Sequence, residues 1–146
     1  MTKQNYETPC NIFNSLNKEF RFMVDACADK TNHKLKTYWD KQQNGLVQNW
    51  ACLVVFVNPP YENIKPWVEK AINSSNIEKT TVVMLLRNDC STAWYKLAWD
   101  NAHEIRQINH RVNFTKTAPP FPCSIFIFKP RKRRRKNPKV RLISFK

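Results

Sequence analysis

Asn58-Pro59-Pro60-Tyr61 places a carboxamide, two rigid backbone carbonyls and a phenol within four residues. That set suits a planar amino group. The nitrogen of an aromatic amine such as adenine N6 delocalises its lone pair into the ring, so it attacks poorly until its hydrogens are drawn towards tetrahedral geometry. Two acceptors achieve this. The Asn58 side-chain oxygen and the Pro59 carbonyl form the natural pair, because proline fixes the backbone and brings no competing N–H. They would act by positioning and electrostatics, aiming the lone pair at a methyl donor. Tyr61 offers a face on which a base swung out of its helix can stack. The plainer alternative is an Asn-Pro turn closing a core strand. The tetrad follows the apolar run Leu53 to Val57 and precedes a helix-like segment, a placement that favours the chemical reading.

A corner of this kind needs a strand to aim it and a helix to hold it. Thr8-Pro9 reads as a helix N-cap followed by proline at the first helical position, with Ile12, Phe13, Leu16 and Phe20 as the apolar stripe behind it. Phe22 to Val24 is a short strand ending in Asp25-Ala26-Cys27-Ala28, and Thr37-Tyr38-Trp39-Asp40 suggests a second, before the turn Asn44-Gly45. Pro66 falls in the first turn of a helix that shows Trp67, Val68, Ala71 and Ile72 on one side. Thr80 to Leu86 is a β-branched strand, and Thr92 to Ala102 a helix with Trp94, Leu97 and Ala98 inward. Glu104 to Phe114 and Ser124 to Phe128 are strands separated by the proline-rich turn Ala118 to Pro122. This alternation predicts an open α/β sheet, mostly parallel, with an antiparallel strand pair near the C-terminus at one edge. Ligands bind such sheets at the carboxyl ends of the strands. If their strands are neighbours, Asp25 to Ala28 and Asn58 to Tyr61 share one crevice.

A formal charge of +14 over 146 residues favours a polyanionic partner. The charge is concentrated: Lys129, Arg131 to Lys136, Lys139 and Arg141 supply nine positive charges in one segment. Arg131, Lys132, Arg133, Arg134, Arg135 and Lys136 read as a nucleic-acid contact, although a solvated tail or a nuclear-import signal has the same composition. The five cysteines lack C-x-x-C pairing and read as reduced, small core residues, and the three histidines lack ligand spacing, so no metal is expected. No apolar run reaches membrane-spanning length and the N-terminal segment has no apolar signal core. A soluble, cytoplasmic protein is expected.

With these motifs in order, the chain resembles the phage-type DNA N6-adenine methyltransferases, a family related to Dam. The resemblance rests on Thr8-Pro9, Asp25-Ala26-Cys27-Ala28, Asn58-Pro59-Pro60-Tyr61 and Arg111-Val112-Asn113-Phe114, and on intervening stretches such as Leu16 to Phe20, Asn44 to Leu46 with Trp50, and Val83 to Leu86. It implies a Rossmann-like sheet, S-adenosylmethionine as methyl donor, and one methyltransferase domain over residues 1–130. Residues 131–146 would form a basic extension with room for a short terminal strand, and no separate target-recognition domain is expected. Asn58, Pro59, Pro60 and Tyr61 would hold the adenine. Asp25, Ala26, Cys27 and Ala28 would line the cofactor pocket beside Asn58, Thr8 and Pro9 would close over the methionine part, and Asp40 would meet the ribose hydroxyls. Arg111 and the basic run would contact double-stranded DNA with its adenine flipped out, in the host cytoplasm if the protein is phage-encoded. Gly45 is the only glycine, so small side chains replace the usual glycine-rich cofactor loop. Arg87 to Thr92 departs from the family segment at that place. RNA adenine and protein glutamine methyltransferases use the same tetrad, and an idle nucleic-acid-binding protein on the same fold is the alternative from another class. Asp89, Glu62 and Asp25 are not needed as general bases, because the nitrogen's proton becomes acidic on methylation. Arg106, like Arg111, reads as a surface arginine or a phosphate contact, and Trp39 as the tryptophan free to line the pocket.

Overall fold

The apolar runs become strands because both faces of the sheet are covered. In a computed structural model describing residues 6–114, 120–130 and 137–145, helices α1 (Cys10–Phe20), α2 (Lys65–Ile77) and α3 (Ala93–Asn101) pack on a six-stranded sheet of β1 (Val24–Asp25), β2 (Val54–Val57), β3 (Thr81–Arg87), β4 (Glu104–Ile108), β5 (Cys123–Phe128) and β6 (Lys139–Ile143). Alternate residues face opposite sides. Val82, Met84 and Leu86 of β3, with Phe126 and Phe128 of β5, join Trp67, Val68 and Ala71 of α2 and Tyr95 and Ala98 of α3 in one core. Val83, Leu85, Ile125 and Ile127 join Ile12, Phe13 and Leu16 of α1 in the other.

The strand order is β1-β2-β3-β5-β4-β6. β1, β2 and β3 run parallel, β5 lies antiparallel to both β3 and β4, and β6 runs parallel to β4. The antiparallel pair of β4 and β5 is therefore inside the sheet, and β6 forms the edge in its place. Burial on both faces explains why β5 sits there. All six of its residues are buried, as suits a central strand covered on both sides, whereas β6 is exposed along Lys139 to Leu142. The predicted strand over Thr37–Asp40 shrinks to one parallel bridge between Tyr38 and Asp25, and the strand expected to reach Phe114 stops at Ile108. No described helix is long and apolar enough to cross a membrane.

Two polar groups of β4 that alternate as a solvent-facing pattern are buried instead. Arg106 is 7% exposed and forms a two-bond fork with Glu19 of α1 at 2.6 Å each, while its Nε and Nη2 reach Glu104 at 3.1 and 2.9 Å. Arg141 of β6 meets the other Glu104 oxygen at 2.8 Å. Arg106 is thus a structural tie between α1, β4 and β6, which rules out the surface role expected of it. The cysteines depart from expectation in the opposite sense: Cys10, Cys52 and Cys90 are exposed and only Cys123 is buried, all five being unpaired.

Candidate active site

β1 and β2 are direct neighbours, with Val24 beside Val55 and Asp25 beside Phe56. Their carboxyl ends therefore open on the same side, and the Ala26 N–H donates to the Phe56 carbonyl at 2.9 Å. On its other edge β1 meets Tyr38, so the chain leaves β1 in one direction and returns on the other side as β2. Such a reversal leaves a crevice at the strand ends. Here it is a cavity of about 600 Å³, within the roughly 300–1,000 Å³ range of small-molecule pockets. Asp25, Ala26, Cys27, Ala28, Asp40, Asn58, Pro59, Pro60, Tyr61 and Thr8 all line it. Pro9 does not; it caps α1 without a side-chain hydrogen bond. Arg111 lies exposed outside the cavity and donates from Nη1 to the Pro120 carbonyl at 3.3 Å. Arg131 to Lys136 fall outside the described residues, as do Ala118 and Pro119 of the proline-rich turn.

The Asn58 carboxamide is held by its nitrogen. Nδ2 donates to the Tyr6 carbonyl at 2.6 Å and to the Thr8 hydroxyl at 3.0 Å. Because a carbonyl can only accept, the amide cannot be turned over without setting two oxygens against each other. Oδ1 is left buried and without a hydrogen-bond partner. Beside it, the Pro60 carbonyl is taken by the Asn63 N–H at 3.1 Å, whereas the Pro59 carbonyl accepts no hydrogen bond among the described residues. Two neighbouring acceptors of this corner are thus without a hydrogen bond among the described residues.

Tyr61 sits in an aromatic group. The Tyr6 ring is 4.9 Å away and Phe121 5.4 Å, with Phe114 at 6.2 Å, and the Arg87 guanidinium lies over its face at 5.2 Å. The Tyr61 hydroxyl is buried beside the Cys123 thiol and makes no hydrogen bond of good geometry. Burial holds its pKa well above the ordinary value, so the phenol is neutral and serves as a ring.

The wall opposite is acidic. Asp25 is 3% exposed, and burial pushes its carboxyl up to about 6, against the backbone N–H groups of Lys34 and Cys27 that favour the charged form. Lys34 N–H donates to Asp25 Oδ2 at 3.2 Å, while the Lys34 ammonium pairs with Glu7 at 2.7 Å. Asp40 accepts from the Gln43 N–H at 2.9 Å, fixing its carboxylate at the rim. Burial, reinforced by Asp25 and Asp29, pushes the Cys27 thiol up to about 12, which removes its nucleophilicity. Trp39 lines the cavity as expected and stacks on Trp50, with centroids 6.4 Å apart. No group of metal-ligating side chains occurs among the described residues.

Several lining residues carried no signal in the sequence. Tyr6 and Glu7 precede the first motif, and Trp67 reads as a helix core residue. Gly45 had one: it marks a turn. The positive φ there belongs to Asn44, at 51°; Gly45 is required because a Cβ would lie 2.2 Å from the Ala26 carbonyl oxygen and 3.0 Å from the Trp67 ring. The single glycine serves the cavity wall from outside the Asp25–Ala28 segment.

Comparison with known proteins yields two kinds of match. The family model described as DNA N-6-adenine-methyltransferase (Dam) matches residues 1–143. A Haemophilus phage HP1 protein named DNA N-6-adenine-methyltransferase is 38% identical over 125 residues, covering 78% of this chain and 72% of the relative. An Escherichia phage T1 protein of the same name is 31% identical over 102 residues, covering 68% of this chain but only 42% of that relative.

Proposed function

The chain belongs to the Dam family of DNA N-6-adenine-methyltransferases, and on that premise we propose that the cavity at the ends of β1 and β2 transfers a methyl group from S-adenosylmethionine to adenine N6 in double-stranded DNA. The observation that carries the reading is the buried, unpartnered Asn58 Oδ1. An orphaned buried acceptor costs about 1–3 kcal/mol, a cost that an incoming amino group would relieve.

Asn58 Oδ1 and the Pro59 carbonyl each accept one hydrogen of the adenine amino group, which draws the nitrogen out of conjugation and directs its lone pair. Tyr61 stacks on the base, and Pro60 keeps the corner rigid. For a base to lie on Tyr61, the Tyr6 ring has to move aside. The nitrogen gains the methyl and sheds its proton to solvent, so no side chain is needed as a base. S-adenosylmethionine, when bound, supplies the methyl on a positively charged sulfonium. The donor set fits such a ligand: Asp25 is a buried carboxyl that a cation would satisfy, Ala26, Cys27 and Ala28 permit close approach, and Asp40 offers acceptors for ribose hydroxyls. The order Tyr38-β1-β2-β3, with its reversal at β1, supports a Rossmann-like sheet. We read residues 1–130 as the catalytic domain, with Arg111 and the Arg131–Lys136 run adding contacts to DNA phosphates, and the host cytoplasm as the place of action.

The test is transfer of label from radiolabelled S-adenosylmethionine to unmethylated DNA, RNA and protein extract in parallel, followed by nucleoside digestion. Label recovered as N6-methyladenine from DNA, and lost in Asn58→Ala, is the expected result. Label in RNA or glutamine would redirect the reading to those substrates, and DNA binding without label would make the chain an idle binding protein.

A further inference from the structure

The Asn58 carboxamide is oriented from a segment fifty residues away, and we propose that Thr8 is the positioning residue that makes Asn58 Oδ1 an effective acceptor. This inference rests on the functional reading above. By family resemblance Thr8 belongs to the cofactor, and by sequence pattern it caps a helix. Its hydroxyl does something else. α1 is capped by Pro9 with no side-chain hydrogen bond, and Thr8, 4% exposed, turns its Oγ1 to Asn58 Nδ2 at 3.0 Å.

An amide nitrogen carries two hydrogens, and the Tyr6 carbonyl and the Thr8 hydroxyl take one each. The donor end is thereby saturated. Two effects follow for the oxygen at the other end. The Tyr6 carbonyl forbids the flipped amide, and the second bond to Thr8 removes the remaining freedom of the group to twist about its side-chain bond. Hydrogen bonds at the nitrogen also polarise the amide, which raises the acceptor strength of Oδ1. The Thr8 hydroxyl therefore contributes to the reaction through Asn58. Loss of one such bond, when it is felt in the transition state, lowers the rate about fivefold.

Three measurements on Thr8→Val and Thr8→Ser decide the matter, each made below the melting temperature of the variant. The first is single-turnover methylation of DNA at saturating cofactor and DNA; the second is the equilibrium Kd for S-adenosylmethionine. The third is the pair of Asn58 side-chain amide resonances in 15N-labelled protein, assigned by their loss in Asn58→Ala. The expected result is a rate about fivefold lower in Thr8→Val, an unchanged cofactor Kd, rescue by Thr8→Ser, and faster solvent exchange of one Asn58 amide proton in the valine variant alone. A wild-type rate in Thr8→Val overturns the inference, as does a loss that appears in cofactor Kd and disappears at saturation. Unaltered Asn58 resonances in Thr8→Val overturn it independently of activity. Wild-type protein that transfers no methyl while its Asn58 amide shows the Thr8-dependent signature supports the clamp and counts against the proposed function instead.

Discussion

The Tyr6 ring lies 4.9 Å from the Tyr61 ring, tilted by 38°, and edge-on to Phe114 and Phe121 at 5.6 and 5.3 Å. It fills the aromatic slot beside Tyr61, so a base stacking there, as proposed, would have to displace it. An aromatic pair is worth about 1 kcal/mol beyond its area, or roughly a fivefold change in affinity. Tyr6→Ala, which keeps the backbone carbonyl that Asn58 needs, should lower KM for unmethylated DNA by about fivefold, while Tyr6→Phe leaves it unchanged. Steady-state kinetics with DNA as the varied substrate check this; equal KM values in Tyr6→Ala and wild type would mean that the ring is no obstacle.

Tyr61 separates ring from hydroxyl. Its oxygen is buried beside the Cys123 thiol and makes no hydrogen bond of good geometry, so Tyr61→Phe removes a desolvated group at the cost of no more than a weak contact to sulfur. The phenylalanine variant should melt no lower than wild type and retain most of its turnover. Tyr61→Ala should lose stacking of about 1–3 kcal/mol, seen as a rise in KM for DNA. A phenylalanine variant as impaired as the alanine variant would assign the hydroxyl a role that its surroundings do not suggest.

Asp25 predicts two opposite pH responses. Its folded pKa, about 6, stands above the ordinary 3.8 because burial disfavours the charge. Between those values the folded state holds the proton more tightly than the unfolded chain, so its contribution to stability falls as pH rises from about 4 to about 6 and is level beyond. Asp25→Asn should exceed wild type in stability at pH 7 by up to about 3 kcal/mol, with the difference vanishing below about pH 4, as urea titrations would show. Affinity for the cationic cofactor should move the other way, weakening in wild type as pH falls through 6 and losing that dependence in the variant. Calorimetric titration across pH 5 to 8 reads it directly.

Glu104 holds two guanidinium groups at once, Arg106 at 2.9 Å and Arg141 at 2.8 Å, and is 6% exposed. Removing a buried partner strands the charges it served, at a cost of about 3–5 kcal/mol. Glu104→Ala should therefore lower the melting temperature far more than Glu19→Ala, whose carboxylate is half exposed and whose loss is expected to cost nearer 1 kcal/mol. Similar losses in the two variants would place Glu104 among ordinary surface pairs.

The corner of the candidate site is legible because its cause is local. An apolar run ending in Asn-Pro-Pro-Tyr has to stop as a strand and turn, and the matching run before Asp25 supplies the neighbour whose end aligns with it, Asp25 beside Phe56. What the chain concealed are contacts between distant segments. Nothing in Tyr6 or Thr8 announces that both bond to an amide about fifty positions later. Arg106 was misread because Glu104, Arg106 and Ile108 share one face of β4, and alternating charge resembles a wet face until α1 sets Glu19 upon it. Gly45 is legible as part of a turn, but its reason for being glycine is not: the turn's unusual φ falls on Asn44, and the missing Cβ at Gly45 admits the Ala26 carbonyl.

The position of β5 has a consequence in time. A chain is made from its N-terminus, and here β4 emerges before the strand that separates it from β3. The nascent protein can pair β1, β2 and β3, and so assemble both walls of the cavity, while β4 still has no neighbour on that side. Only when Cys123–Phe128 arrives can the two halves of the sheet join. The half of the sheet that carries the cavity is thus made first, so a translational pause between residues 108 and 123 would hold open the interval in which a chaperone, or a second nascent chain, could take β5's place.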